Sequence, residues 1–204
     1  MTAYLPTNVP SRQIRAAFDD ETVTVYQAFS STIANAAVAS GRFVPPFSLQ
    51  RMTWIKPSFI WMIHRSGWAS KPGQEHVLAI RITRVGFEWA LWHSCLTYFD
   101  SRIYSNRADW TNQARTSPVR IQWDPERSVS LSPLPWRTAQ IGLSMKAIHL
   151  YTTEWITEIV DISPHIHGIH RLANDTRRAE LSIIIRQERP YPLLEGLKQI
   201  IGAE

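Results

Sequence analysis

Apolar residues along this chain change their spacing several times, and each change predicts an element. TVTVYQAF (22–29) is β-branched and aromatic and predicts a strand. In the SSTIANAAVASG that follows, Ser30 or Ser31 can cap an N-terminus, the alanines favour helix and Gly41 stands where a C-terminal cap belongs. That predicts a short helix over about residues 32–40. VPPF then interrupts regular structure. Pro57 suits a first helical position, and Phe59, Ile60 and Ile63 share one helical face, so residues 57–66 are expected to be helical up to Gly67. HVLAIRIT (76–83) reads as a strand, and GFEWALWHSCLTYF (86–99) spaces Phe87, Ala90, Leu91 and Cys95 as an amphipathic helix does.

Further on, VRIQW (119–123) alternates like a strand and DPERS is turn chemistry, while WRTAQIGLS (136–144) predicts another strand. Ser144 is placed to cap a long helix with Ile148, Tyr151, Trp155, Ile156 and Ile159 as its apolar stripe. Pro164 opens a further helix, ELSIIIRQ (180–187) reads as a buried strand, and ERPYPLLEGLKQIIG is a proline-bent lead into a terminal helix. Strands and helices intermix without a βαβ rhythm. The expected class is therefore α+β: one domain over residues 1–204, core about 12–194, with a mostly antiparallel sheet packed by several helices.

Composition narrows the function classes. The 204 residues are 44% hydrophobic, enough for one sizeable core, and carry a formal charge of +5, which favours an anionic partner. Arginine dominates the cations and is suited to forked contacts with phosphate or carboxylate. Cys95 is the sole cysteine, which excludes an internal disulfide and a multi-thiolate zinc site. With no apolar leader and no run long enough to span a bilayer, a cytoplasmic protein without membrane association is expected.

The sequence lacks G-x-x-x-x-G-K-[ST], G-x-G-x-x-G and G-x-S-x-G, so the usual phosphate loops and the nucleophile elbow are excluded. In HIHGIH (165–170), His167 and His170 lie one turn apart, but spacing supplies no third ligand and no metal is expected. His93 and Cys95 point apart on a helix, which reads as a core cysteine and its neighbour rather than a nucleophile pair. QWDPER places Gln122, Asp124 and Glu126 at alternate positions leaving a strand. Two carboxylates on one face could steady a positive, sugar-like transition state, and the alternative is a charged turn in which Asp124 caps its own backbone. Arg12 and Arg15 could hold a pyrophosphate or pair with the acids at 19–21.

RMTWIKPSFIWMIHRSGW (51–68) mixes large apolar and cationic groups most densely. Trp54, Trp61 and Trp68 could stack on a base while Arg51, Lys56, Arg65 and the helix start at Ser58 meet phosphate; alternatively the rings fill the core and the cations reach out to water.

RQIRAAFDDETVTVYQAF, GRFVPPF, RMTWIKPSFIWMIHRSGW, VLAIRITRVGFEWAL, SPVRIQWDPER and ERPYPL together resemble the signature blocks of the family catalogued as domain of unknown function 4291, from about Arg12 to Leu194. The layout of VYQAF, a short helix and SGRF is also similar to the opening of ADP-ribosyltransferase-like folds. That second resemblance implies NAD as cofactor, with Gln27 or Arg15 at the first motif, Ser58 and Trp54 at the second, and Asp124 or Glu126 as the carboxylate; Gln27 stands where histidine is common. The combined expectation is a nucleotide-binding enzyme. Arg12, Arg15, Trp54, Lys56, Ser58, Trp61 and Arg65 bind the ligand, Asp124, Glu126 and Gln27 are catalytic, and ADP-ribosyl transfer or related phosphotransfer occurs onto RNA or DNA. The alternative is a non-enzymatic nucleic-acid-binding module built from the same tryptophans and arginines.

Overall fold

Two mostly antiparallel sheets meet at a corner, and helices cover their faces. A computed structural model describes residues 9–204. One sheet has three strands in the order β2 (Thr22–Phe29), β4 (His76–Thr83), β8 (Ile156–Asp161), all antiparallel. The other has four strands in the order β3 (Thr53–Ile55), β7 (Pro133–Leu143), β6 (Val119–Arg127), β5 (Ser94–Leu96), of which β5 and β6 run parallel. A short ribbon pairs β1 (Arg15–Ala16) with β9 (Arg189–Pro190), tying the two ends of the chain together. The class is α+β, with a mostly antiparallel arrangement as expected.

Alternation explains the layering. Val23, Val25, Leu78, Ile80 and Ile82 point from the three-stranded sheet into the main core, where they meet Val119, Ile121, Trp123, Ala139, Ile141 and Leu143 of the four-stranded sheet. Helices α1 (Ser31–Ser40) and α3 (Arg84–Trp92) complete that core through Ala34, Ala37, Phe87, Ala90 and Leu91. On its opposite face the three-stranded sheet offers Tyr26 and Val77 to a second core formed by α2 (Phe59–Ser66), α6 (Ser163–Arg171) and α7 (Asn174–Gln187). The C-terminal helix α8 (Glu195–Ile201) belongs to the main core, because Leu197 and Ile201 are buried and the Trp123 indole donates to the Ile201 carbonyl at 2.7 Å.

Both early helices end at the expected glycines, Gly41 and Gly67. Four expectations are corrected. The amphipathic pattern over residues 86–99 is helical only to Trp92, after which Ser94–Leu96 pairs along β6. The helix opened at Ser144 runs as α5 (Met145–Leu150) into a π-turn at Tyr151–Trp155, and Ile156 and Ile159 belong to β8 instead. The β-branched ITEIVD completes the edge of a sheet that would otherwise leave β4 half unpaired. ELSIIIRQ is helical: Leu181, Ile184 and Ile185 fall on one face of α7 against the second core while Ile183 faces solvent, so three isoleucines in a row had masked a 3.6-residue period. DPER is no turn, since β6 continues through it to Arg127 with a register shift between Pro125 and Arg127. The polar helix α4 (Arg107–Thr116), capped by the Asn106 side chain, buries no residue and left no apolar period to read. No helix among the described residues is long and apolar enough to cross a membrane.

Gly86 is required by close approach: a Cβ there would lie 2.3 Å from Cγ of Trp155. The packing of α3 on the π-turn therefore has no room for a methyl group. Gly86→Ala is expected to cost about 1–3 kcal/mol, read as a lower denaturant midpoint with an unchanged m-value.

Candidate functional site

The corner between the sheets is made by two residues. Tyr26 and Lys56 exchange both backbone hydrogen bonds, Tyr26 N–H to the Lys56 carbonyl at 2.7 Å and Lys56 N–H to the Tyr26 carbonyl at 3.1 Å. Lys56 thus leaves the end of β3 with its backbone pinned to β2. Its side chain points away from the main core onto the outer face of the four-stranded sheet, the face that also carries the even-numbered positions Gln122, Asp124 and Gln140. Two residues later Ser58 caps α2, its Oγ accepting from Trp61 N–H at 3.2 Å.

Lys56 is 1% exposed, and its Nζ lies 3.0 Å from Asp124 Oδ2 and 3.8 Å from the centre of the Trp61 ring. Gln122 Nε2 donates to the other carboxylate oxygen of Asp124 at 2.8 Å, so Oδ2 stays aimed at the amine. Burial lowers the Lys56 pKa to about 8, outweighing the opposing pull of Asp124 and Glu126. Lys56, with Asp124 behind it, lines a cleft of about 300 Å³ walled by Trp54, Trp61, Met52, Gln27 and Gln140, with Arg65 at its edge. Gly142 makes the Trp54 wall possible, since a Cβ there would sit 2.7 Å from Met52 Sδ and 2.9 Å from Trp54 Cη2.

Behind Ser58 lies a second buried constellation. The Ser58 hydroxyl donates to Glu126 Oε1 at 2.9 Å, and the same oxygen accepts from Arg127 N–H at 2.8 Å. Glu188 Oε1 accepts from Phe59 N–H at 2.6 Å, so a carboxyl meets the first free amide of α2. Burial raises the pKa of Glu126, and it raises that of Glu188 still further because the charge on Glu126 adds to the penalty. Arg15 donates to the Glu188 carbonyl at 3.0 Å, and its own pKa is lowered by burial. Glu126, Glu188 and Arg15 face a different cavity of about 500 Å³, with Ile60, Val129, Leu134 and Trp136 among its walls.

The expected site is therefore divided. Lys56, Trp54, Trp61, Arg65 and Gln27 line one cleft, with Asp124 behind Lys56. Ser58 stands in the wall, and Glu126 with Arg15 lies beyond it. Arg12 is elsewhere: it pairs with Asp100 at 2.9 Å beside Arg102 and Lys198, so Arg12 and Arg15 do not clamp one pyrophosphate. Gln27 is buried with its polar atoms engaged, donating to Thr53 Oγ1 at 2.7 Å and to the Trp54 carbonyl at 3.0 Å and accepting from Tyr151 at 2.8 Å. Asp124 does not cap its own turn, and Trp68 is turned away from the cleft onto His170, at 4.6 Å between ring centres. His167 bonds the Ala69 carbonyl, and no cluster of three or more His, Cys, Asp or Glu among the described residues could hold a metal. Cys95 is buried against Tyr104.

Glu188, Gln140 and Met52 were missed by sequence reading. The only local sign for Glu188 was its place at the head of ERPYPL, which says nothing of its contact with α2.

Glu188→Gln keeps the acceptor for Phe59 and removes the titration. A raised folded pKa means that stability is fully present below the unfolded value, near 4.5, and is lost as pH climbs through the folded one. The stability of the Gln variant relative to wild type is thus expected to grow with pH above that value, at up to about 1.4 kcal/mol per pH unit. Denaturant midpoints for the two proteins at pH 5, 6, 7 and 8 measure this, and a constant difference would count against a buried, protonated Glu188.

Among curated proteins none is significantly similar to the chain. The residues that build this corner, from Arg15 to Glu188, all lie within residues 13–191, which match the family described as Domain of unknown function (DUF4291), and the chain belongs to that family.

Proposed function

We propose that the chain is a nucleotide-binding transferase working at the Trp54–Trp61 cleft, and that ADP-ribosyl transfer from NAD onto a nucleic acid is its most specific form. The observation that carries this reading is the lysine of the cleft: Lys56, its amine held 3.0 Å from the Asp124 carboxylate behind it, lies between two half-buried indoles, with an arginine at the rim. Aromatic walls take the flat face of a base, and the rim arginine meets phosphate. A cleft of about 300 Å³ is at the small end of ligand sites and admits one nucleoside half, so the rest of a dinucleotide lies outward along Arg65.

Breaking a nucleoside N-glycosidic bond builds positive charge on the ribose. The Asp124 carboxylate, oriented by Gln122, is the anion nearest the cleft and opposes that charge. Glu126 supports the site from behind by holding Ser58, and so the start of α2 that carries Trp61. Gln27 fixes the β2–β3 wall. A net charge of +5 favours an anionic acceptor such as RNA or DNA. The protein is expected to act among soluble nucleotides, in keeping with a cytoplasmic location.

A thermal-shift series with NAD, ATP, short RNA and short DNA tests the reading. A ligand at 100 times its Kd adds about 2.7 kcal/mol, and Trp61→Ala is expected to weaken NAD binding by about 1–3 kcal/mol. Asp124→Asn should retain binding and lose turnover. Stabilisation by RNA and DNA alone, fading steeply with salt and indifferent to Asp124→Asn, would identify a non-enzymatic nucleic-acid-binding module instead. Silence from NAD and ATP at millimolar concentration would overturn the nucleotide reading.

A further inference from the structure

We infer that Lys56 is a nucleophile, and that its Nζ takes the ribosyl carbon of the bound nucleotide as a covalent intermediate while Asp124 carries the proton. The inference rests on the nucleotide reading above. It answers a question that reading leaves open, namely why a lysine should stand at the bottom of a cleft whose rim already holds an arginine.

The chain has four lysines, at positions 56, 71, 146 and 198, against eighteen arginines. Only Lys56 among them is buried. As a charge alone, an arginine would serve a phosphate better and would not deprotonate. As a stabilising device, a buried ion pair gains little over apolar packing, because desolvation cancels most of the attraction. What a lysine offers in this place is an amine that can lose its proton.

The surroundings meet the needs of such an amine. Its backbone is fixed on both sides by Tyr26, so the side chain leaves a rigid point. Trp61 covers one side of Nζ and Asp124 Oδ2 accepts from another, and Lys56 is among the residues that line the cleft. The charged and titratable groups around it are Asp124 and Glu126 of β6, Arg65 of α2 and Tyr26 of β2. Burial brings the amine to a pKa of about 8, so on the order of a tenth of the molecules hold it neutral at pH 7.

The steps balance. The bond from the ribosyl carbon to the departing base breaks and its electron pair leaves with the base. The Nζ lone pair forms a new C–N bond, and the surplus ammonium proton passes to Asp124. The resulting glycosylamine opens when the nitrogen lone pair forms C=N and the ring C–O bond breaks; the ring oxygen takes the proton back from Asp124, giving a protonated imine. On re-closure the ring oxygen re-forms its bond to the ribosyl carbon and returns its proton to Asp124; that proton passes to Nζ as the C–N bond breaks with its electron pair on nitrogen, an acceptor hydroxyl or water forms the new C–O bond and gives its proton to Asp124, and the lysine is free.

Sodium cyanoborohydride reduces such an imine to a stable secondary amine. The full chain incubated with NAD and this reagent is expected to carry an ADP-ribosyl mass on the Lys56 peptide in excess of that on Lys71, Lys146 and Lys198. Trapping should accelerate about tenfold per pH unit below about 8 and level off above it, as the amine loses its proton. Lys56→Arg, which keeps a cation against Asp124 and Trp61, should lose the adduct while NAD still raises the melting temperature.

Stabilisation by NAD with no Lys56 adduct, or equal labelling of all four lysines, would overturn the nucleophile and leave the nucleotide reading standing. Absence of any NAD stabilisation would overturn both.

Discussion

A buried lysine at the seam between two sheets is the constraint on which the rest of this structure depends. The Tyr26–Lys56 backbone exchange is where the three-stranded sheet is joined to the four-stranded one, and the ammonium that comes with it has to find a partner without water. Asp124 supplies that partner from β6, two strands away from β3. A single ion pair therefore couples β2, β3 and β6 across the order β3–β7–β6. Trp61 follows, because a ring over Nζ offers the ammonium a favourable face on one side.

Ser58 stands between two kinds of electrostatics. On the cleft side the pair is a cation and an anion, and burial weakens the proton affinity of the cation. On the far side two carboxyls lie close enough that the charge of one raises the pKa of the other. The N-terminus of α2 separates them and engages both: Ser58 bonds Glu126 while Phe59 N–H bonds Glu188. Residues that hold α2 in place thus also set the position of Trp61 and Arg65, which α2 carries into the cleft.

Much of the fold was legible because the periods were clean. β4 over His76–Thr83 and β2 over Thr22–Phe29 coincide with the expected strands, each presenting alternate residues to the main core. Two of the failures have different causes: the three consecutive isoleucines of ELSIIIRQ carry no period of their own, whereas the apolar spacing from Tyr151 to Ile159 also fits a helix. In the first, flanking helix formers prevailed. In the second, an unpaired edge of β4 claimed β-branched residues that spacing alone had extended into a helix.

The candidate site divides along similar lines. That Gln122, Asp124 and Glu126 share a side of one strand and that Trp54, Lys56 and Trp61 are near neighbours are local facts, which the sequence alone determined through the two-residue period of strands, whereas the helix expected from Pro57 starts only at Phe59, with Ser58 as its cap. Tertiary structure decided which of these meet. It set Lys56 against Asp124, placed Glu188 beneath α2, and sent Arg12 to Asp100 and Arg15 to the far side of Ser58, although the two arginines are only three residues apart. Those outcomes turn on strand order and on the closing of β1 with β9. Such long-range pairings are chosen by the burial of whole faces and leave no trace in the spacing of neighbouring residues.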